Sequence, residues 1–220
     1  NVFKEAAKDP ALRKELQNPY SIAPKNMRKG PRQPSTNMTG YDKQAKTWMA
    51  PFVMAAINTR VIQRSHALLG RPWGENFMYS EAMALGDGLG GRAKATGVTG
   101  GMGGFMALAA LPPSRAFLAK FVLPKPGEGP TPEEQKNGFY DLRIYGKTAS
   151  GKELVTKVTG DRDPGYGSTS KMLGESAVCL VKDVSRRTTK GGIWTPSTAM
   201  GDKLRTRLEA NAGLTFTRIG

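Results

Sequence analysis

Asp163-Pro164-Gly165-Tyr166-Gly167-Ser168-Thr169-Ser170-Lys171-Met172-Leu173-Gly174-Glu175-Ser176-Ala177-Val178-Cys179-Leu180 opens on a tight Pro-Gly turn and continues as a helix rich in small residues. Met172, Leu173, Ala177, Leu180 and Val181 fall on or near one face, which predicts a helix over 168–183. Downstream, Gly191-Gly192-Ile193-Trp194-Thr195-Pro196-Ser197-Thr198-Ala199-Met200-Gly201-Asp202 gives a Gly-Gly loop and a Thr-Pro helix start. Met200, Leu204 and Leu208 recur every four residues, so a last helix is expected over 197–212, followed by an alternating strand at 214–219. Upstream, 139–145 and 153–159 are β-like, and 148–152 between them has hairpin-turn composition. This order predicts an α/β (α+β) fold, a mixed or antiparallel sheet covered by helices.

Further toward the N-terminus, residues 1–17 carry apolar positions at helical spacing, with Asp9-Pro10 supplying a cap and a first-turn proline. Residues 18–40, 86–104 and 124–138 read as long loops. The first is rich in proline and basic residues, the second in glycine, and the third holds a capping box at Thr131-Pro132-Glu133-Glu134. Between them, 44–69 has the strongest helical pattern: Trp48, Phe52, Val53, Ala56, Ile57, Val61, Leu68 and Leu69, with Pro51 beginning or kinking it. Residues 105–123 read as an apolar helix interrupted by Pro112-Pro113, far short of the roughly 20 residues a membrane span needs before the first proline.

The chain has 220 residues and a formal net charge of +15, from 33 Lys+Arg against 18 Asp+Glu. Such a surface attracts anions, whether acidic proteins, phosphorylated small molecules or anionic lipid; equally, it reads as a solvated basic exterior. No helix-turn-helix, zinc-finger or aromatic RNA-binding motif accompanies the charge, which argues against nucleic acid. One cysteine, Cys179, rules out an internal disulfide framework and a multi-cysteine metal site. It lies in an apolar run and reads as a buried, inert thiol in a reducing, cytoplasmic setting. One histidine, His66, rules out a two-histidine metal site, so no metal is expected. His66 itself reads either as a general acid or as a partly exposed helix residue.

Gly86-Asp87-Gly88-Leu89-Gly90-Gly91 matches G-x-G-x-x-G, but 78–83 is not a convincing buried strand and the ribose-binding acid about 20 residues on is missing. It is therefore read as a flexible connector, not a cofactor site. Asn58, Arg60 and Arg64 interrupt an otherwise apolar helix. Positions 60 and 64 lie one turn apart, so both guanidinium groups can face one anion, clamping a substrate carboxylate, a thioester or a cofactor phosphate. The competing reading is the polar edge of an amphipathic helix. Tyr166 either aims its hydroxyl at a substrate carbonyl as a proton donor or packs the turn, and Lys171, one turn into the helix, can lower its pKa if close. Glu153, Asp161 and Asp163 sit around a hairpin and a turn and do not form a paired-carboxylate site.

The two segments quoted first resemble the C-terminal end of the saccharopine-dehydrogenase-like oxidoreductases, within them the trans-acting enoyl reductase branch. Three further stretches fit in order: residues 1–20 with Lys8-Asp9-Pro10 and Asn18-Pro19-Tyr20; Trp48-Met49-Ala50-Pro51-Phe52-Val53-Met54-Ala55-Ala56-Ile57-Asn58-Thr59-Arg60; and Leu111-Pro112-Pro113-Ser114-Arg115 with Pro126-Gly127-Glu128-Gly129-Pro130. The resemblance implies an NAD(P)-dependent enzyme whose N-terminal Rossmann domain holds NADP or NAD and lies outside this chain. These residues would be the C-terminal substrate-binding and oligomerisation part. It further implies an acyl or lipid-like, carrier-bound substrate, hydride addition to a carbon–carbon double bond, a possible homodimer, and no activity of the fragment alone. From the charge and the apolar 105–123 segment comes the alternative, a non-catalytic basic module on an anionic membrane surface or an acidic partner.

Overall fold

A computed structural model describes residue 5 and residues 9–123 and 127–220. Most of the 1–8 segment, and 124–126 of the 124–138 loop with Pro126 of the family match, lie outside the described residues. The chain divides into two compact units, Asn1–Leu108 and Ala109–Gly220.

In the first unit Asp9 caps helix α1 (Pro10–Gln17), its carboxylate accepting the Ala11 and Leu12 N–H groups at 2.8 and 3.2 Å. Residues 18–39 contain a single 3₁₀ turn, Lys25–Met27. A three-stranded antiparallel sheet follows, ordered β1 (Gly40–Asp42), β2 (Thr47–Pro51), β3 (Ala82–Ala84). The helix expected over 44–69 is thus corrected: its first part is strand β2, and helix α2 spans only Ala55–Leu68. The β-branched Thr47 and aromatic Trp48 favour the pleat, and Pro51, lacking an N–H, ends the strand. Trp48 meets Tyr41 edge-on at 5.4 Å across the pair.

The Gly-rich segment 86–104 is likewise not a loop. Helix α3 runs Gly88–Ala110 with eight glycines among its 23 residues. Each glycine costs a helix about 1 kcal/mol relative to alanine, which is why composition pointed the other way. Its first half is held by tertiary contacts: Ala95 is fully buried, and Thr39 Oγ1 lies 3.2 Å from the Ala95 carbonyl and 2.8 Å from Thr99 Oγ1.

In the second unit helix α4 (Pro112–Phe121) begins at the proline pair, so the expected 105–123 helix is broken at Leu111. Helix α5 (Pro132–Asn137) starts at the Thr131/Glu134 capping box. A second antiparallel sheet has the order β4 (Tyr140–Lys147), β5 (Glu153–Gly160), β6 (Leu214–Arg218). Helix α6 (Gly167–Lys182), short helix α7 (Pro196–Ala199) and helix α8 (Asp202–Asn211) lie between β5 and β6 in sequence. The last helix is therefore two pieces, parted at Gly201, whose φ of +51° suits glycine. Cys179, Met200, Leu204, Leu208, Ala212 and Leu214 form the buried core, so the cysteine is an interior residue as expected.

Carboxylates pin this unit. Asp163 accepts backbone N–H groups of Gly165, Tyr166 and Gly167 at 2.9, 3.1 and 2.6 Å, launching α6. Arg207 of α8 joins Asp183 and, at 3.1 Å, Glu175 of α6. Hydrogen bonds from Gly167 to Asp163, from Arg207 to Asp183, from Lys171 to Asp161 and from Arg143 to Asp141 each hold the carboxyl below its ordinary value. A lowered folded-state value stabilises the protein above the unfolded value of 3.8, and that contribution disappears as pH falls through the folded values. The melting temperature is therefore expected to be flat between about pH 7 and 5 and to drop below about pH 4, with a shallower drop in Asp163→Asn. A melt series across that range checks it; an acid limb identical in the variant would remove Asp163 from the account.

Candidate functional site

A well-defined concavity lies wholly within the first unit. It is a cleft of about 730 Å³ between α2, the 28–37 loop and residues 80–81. The loop has almost no regular structure, yet it is held firmly. Gln33 is the hub: its amide N–H groups point to the Tyr20 hydroxyl at 2.6 Å and the Pro31 and Phe77 carbonyls at 3.2 and 3.3 Å. Its carbonyl oxygen accepts from Tyr79 N–H at 2.9 Å and from the buried Gln63 amide at 3.1 Å. The Tyr79 backbone donor fixes which end of the amide is oxygen. Tyr20 donates in turn to the Pro31 carbonyl at 2.6 Å, and Thr36 Oγ1 to the Glu81 carbonyl at 2.6 Å. Burial raises the Tyr20 hydroxyl above its ordinary value.

Asn58 belongs to a second cluster beside this hub. Its Nδ2 donates to one Glu81 carboxylate oxygen at 2.9 Å, while the Tyr79 hydroxyl donates to the other. Burial first, and then the Glu81 carboxylate, push the Tyr79 hydroxyl well above the usual phenol range. Tyr79 thus stays protonated at neutral pH and donates to Glu81.

The paired-arginine clamp is corrected by the geometry. Arg60 donates to the Ala56 carbonyl at 2.8 Å and to the Leu16 carbonyl, and Arg64 to the Ile22 carbonyl. Both forks are turned onto backbone of the 16–22 segment and tie it to α2. Arg60 still lines the cleft; Arg64 does not line it. His66 is corrected too. It is buried, stacked on Trp73 at 5.0 Å with Phe77 at 4.9 Å, and its Nε2 lies 3.0 Å from the Gly74 carbonyl. The loop after α2 folds these aromatics back over it, which helical periodicity cannot show.

In the second unit Tyr166 stands at the N-terminus of α6, the residue 57% exposed. Its ring faces Gly129, where an added Cβ would lie 3.4 Å away. Lys171 is bound to Asp161 at 2.7 Å. The structure therefore gives Lys171 a carboxylate partner.

The G-x-G-x-x-G stretch is preceded by strand β3 and does open a helix, contrary to the expected connector. It still does not fit a pyrophosphate. Asp87 Oδ1 accepts the Gly88 N–H at 2.7 Å, so a backbone donor of the turn is already taken by a carboxylate, and the adjoining strands are antiparallel. Among the described residues no group of three or more His, Cys, Asp or Glu side chains is placed to hold a metal, and no helix is long and apolar enough to cross a membrane.

The sequence reading passed over Lys29, Arg32, Gln33 and Glu81. A visible signal existed: Arg28-Lys29-Gly30-Pro31-Arg32-Gln33-Pro34 packs three cations between rigid residues. Nothing in the sequence tied that loop to Glu81, almost fifty residues away along the chain.

Comparison with known proteins gives a family of names. The chain is similar to trans-acting enoyl reductases. A Mycobacterium tuberculosis protein provisionally so named is 35% identical over 228 residues, covering 99% of this chain and 54% of the relative. The trans-acting enoyl reductase of Mycobacterium ulcerans is 32% identical over 217 residues, and that of Mycobacterium bovis 32% over 225, each covering 94% of this chain and 51% of the relative. The chain spans about half the length of the curated relatives it matches. No family model matches the chain, and no solved structure matches it. The likeness supports the trans-acting enoyl reductase branch of the resemblance.

Proposed function

We propose that this chain is the acyl-binding part of an NAD(P)-dependent enoyl reductase of the saccharopine-dehydrogenase-like group. The observation that carries the reading is the likeness, over nearly all of this chain, to about half of each reductase relative. The reaction would saturate an α,β-unsaturated acyl thioester. The nicotinamide is assigned to the remaining part of the protein, because in the G-x-G-x-x-G turn that opens α3 the Gly88 N–H is already taken by Asp87. These residues would bind and orient the acyl group, with Arg60 at the cleft and Asn58 holding Glu81 in place beneath it. Independently of that cleft, Tyr166 of the second unit is the candidate proton donor, because the residue is exposed and so accessible to a substrate.

The test is nicotinamide oxidation by the complete protein with an enoyl N-acetylcysteamine thioester and NADPH or NADH. Turnover with either cofactor supports the reading, and no oxidation with any enoyl thioester rejects it. In the same assay Tyr166→Phe is expected to lower kcat by about 100-fold without changing the melting temperature. A wild-type kcat in that variant would rule out Tyr166 as the proton donor.

A further inference from the structure

We propose that the first-unit cleft is a binding site for a phosphate ester carried on a flexible, amide-bearing arm, the phosphopantetheine type. This deepens, and rests on, the reading that the substrate is an acyl thioester. Three observations carry it.

The first is charge. Lys29, Arg32, Arg28 and Arg60 line the cleft against a single acid, Glu81. That acid is already engaged on both oxygens, by Asn58 and Tyr79. Arg28 is held by Glu15 at 2.8 Å and by the Ala23 carbonyl at 3.1 Å, and Arg60 by two backbone carbonyls. Lys29 and Arg32 are the two whose side chains are exposed and have no acidic partner among the described residues. An unpaired Lys–Arg couple at the edge of a concavity is suited to a phosphate: Arg supplies a planar fork and Lys a point charge.

The second is rigidity. Those two cations sit on either side of Gly30-Pro31, in the loop that Gln33, Tyr20 and Thr36 fasten from within. The Tyr20 ring lies so close to Gly30 that a Cβ there would be 2.6 Å away. A loop that only carried solvated charge would not need five hydrogen bonds on one half-buried amide. Fixing in advance the backbone that carries the cations cuts the ordering cost of binding.

The third is the rest of the lining. Hydroxyl and amide groups of Ser35, Asn37 and Thr59 offer donors and acceptors, and Ala55 and Ala56 a small apolar wall. A volume of about 730 Å³ is in the range of sites for extended small ligands. That mixture matches an arm with alternating amides and methylenes better than a bare acyl chain.

The experiment is a calorimetric titration of the protein with phosphopantetheine and with pantetheine, which lacks the phosphate. Phosphopantetheine is expected to bind roughly tenfold more tightly, and Lys29→Ala/Arg32→Ala to abolish that preference. Equal affinity for the two compounds, no binding of either, or an unchanged preference in the double variant overturns the proposal. NADPH binding that is lost in the double variant while phosphopantetheine binding persists also overturns it. Coenzyme A and a holo acyl carrier protein, titrated next, distinguish the two sources of the same arm; the source is the one whose affinity falls in the double variant, and a fall with neither counts against the site. Because the readout is binding, absence of turnover would reject the reductase reading and leave the cleft result standing on its own.

Discussion

Gly91→Ala is expected to destabilise the first unit on the order of 3 kcal/mol. The added Cβ would lie 2.1 Å from the Gly86 carbonyl oxygen and 2.5 Å from its carbon, with Trp48 Cδ1 at 3.3 Å. Neither backbone atom is free to retreat, since the Gly86 carbonyl accepts the Trp48 N–H at 2.8 Å and thereby extends the β2–β3 pairing. The alternative is for α3 to back away from the strand ends, which would pull Ala95 out of its buried position and break the Thr39 contact. Gly90→Ala is the control. Nothing lies within 4 Å of its Cβ, and alanine there should raise stability by up to about 1 kcal/mol through helix propensity. Melting curves followed by circular dichroism decide it; a Gly91→Ala midpoint equal to wild type would mean that α3 does not pack on the sheet as described.

The second large effect is at Gln33. Gln33→Ala is expected to cost about 3 kcal/mol, because the Tyr79 N–H, the Gln63 amide and the Tyr20 hydroxyl each lose a partner at about 1 kcal/mol apiece. Gln63 is 2% exposed, so water cannot reach it readily in place of the lost group. Hydrogen exchange at the Tyr79 amide gives a local reading of the same event, and it should accelerate more than amides of β4 and β5 in the other unit. Unchanged exchange at Tyr79 would show that Gln33 does not hold the loop. The variant should also weaken phosphopantetheine binding, since Lys29 and Arg32 would lose their fixed support.

The second unit was the more legible part. Its hairpin, its α6 helix and its final strand follow from alternation, turn residues and a capped helix start, all of them local signals. The first unit was legible only in pieces. Trp48 and Phe52 fall four apart and mimic a helix face, yet Trp48 is in β2, because Thr47, Trp48 and the proline at the end of the strand favour extended backbone with partners on both sides. Arg60 and Arg64 were correctly placed on one helix, one turn apart. That spacing says nothing about which carbonyls lie opposite, and the 16–22 segment takes both forks.

Local chemistry in the sequence was enough to determine the α/β class, the capped helix starts and the interior place of Cys179, since each depends on neighbours within a few positions. Tertiary structure alone decided that a glycine-rich stretch is helical, that His66 is enclosed by aromatics, and that one glutamine fastens a basic loop over a cleft. Those outcomes come from contacts between residues tens of positions apart, such as Gln33 with Phe77 and Thr39 with Ala95, whose energies override local propensity.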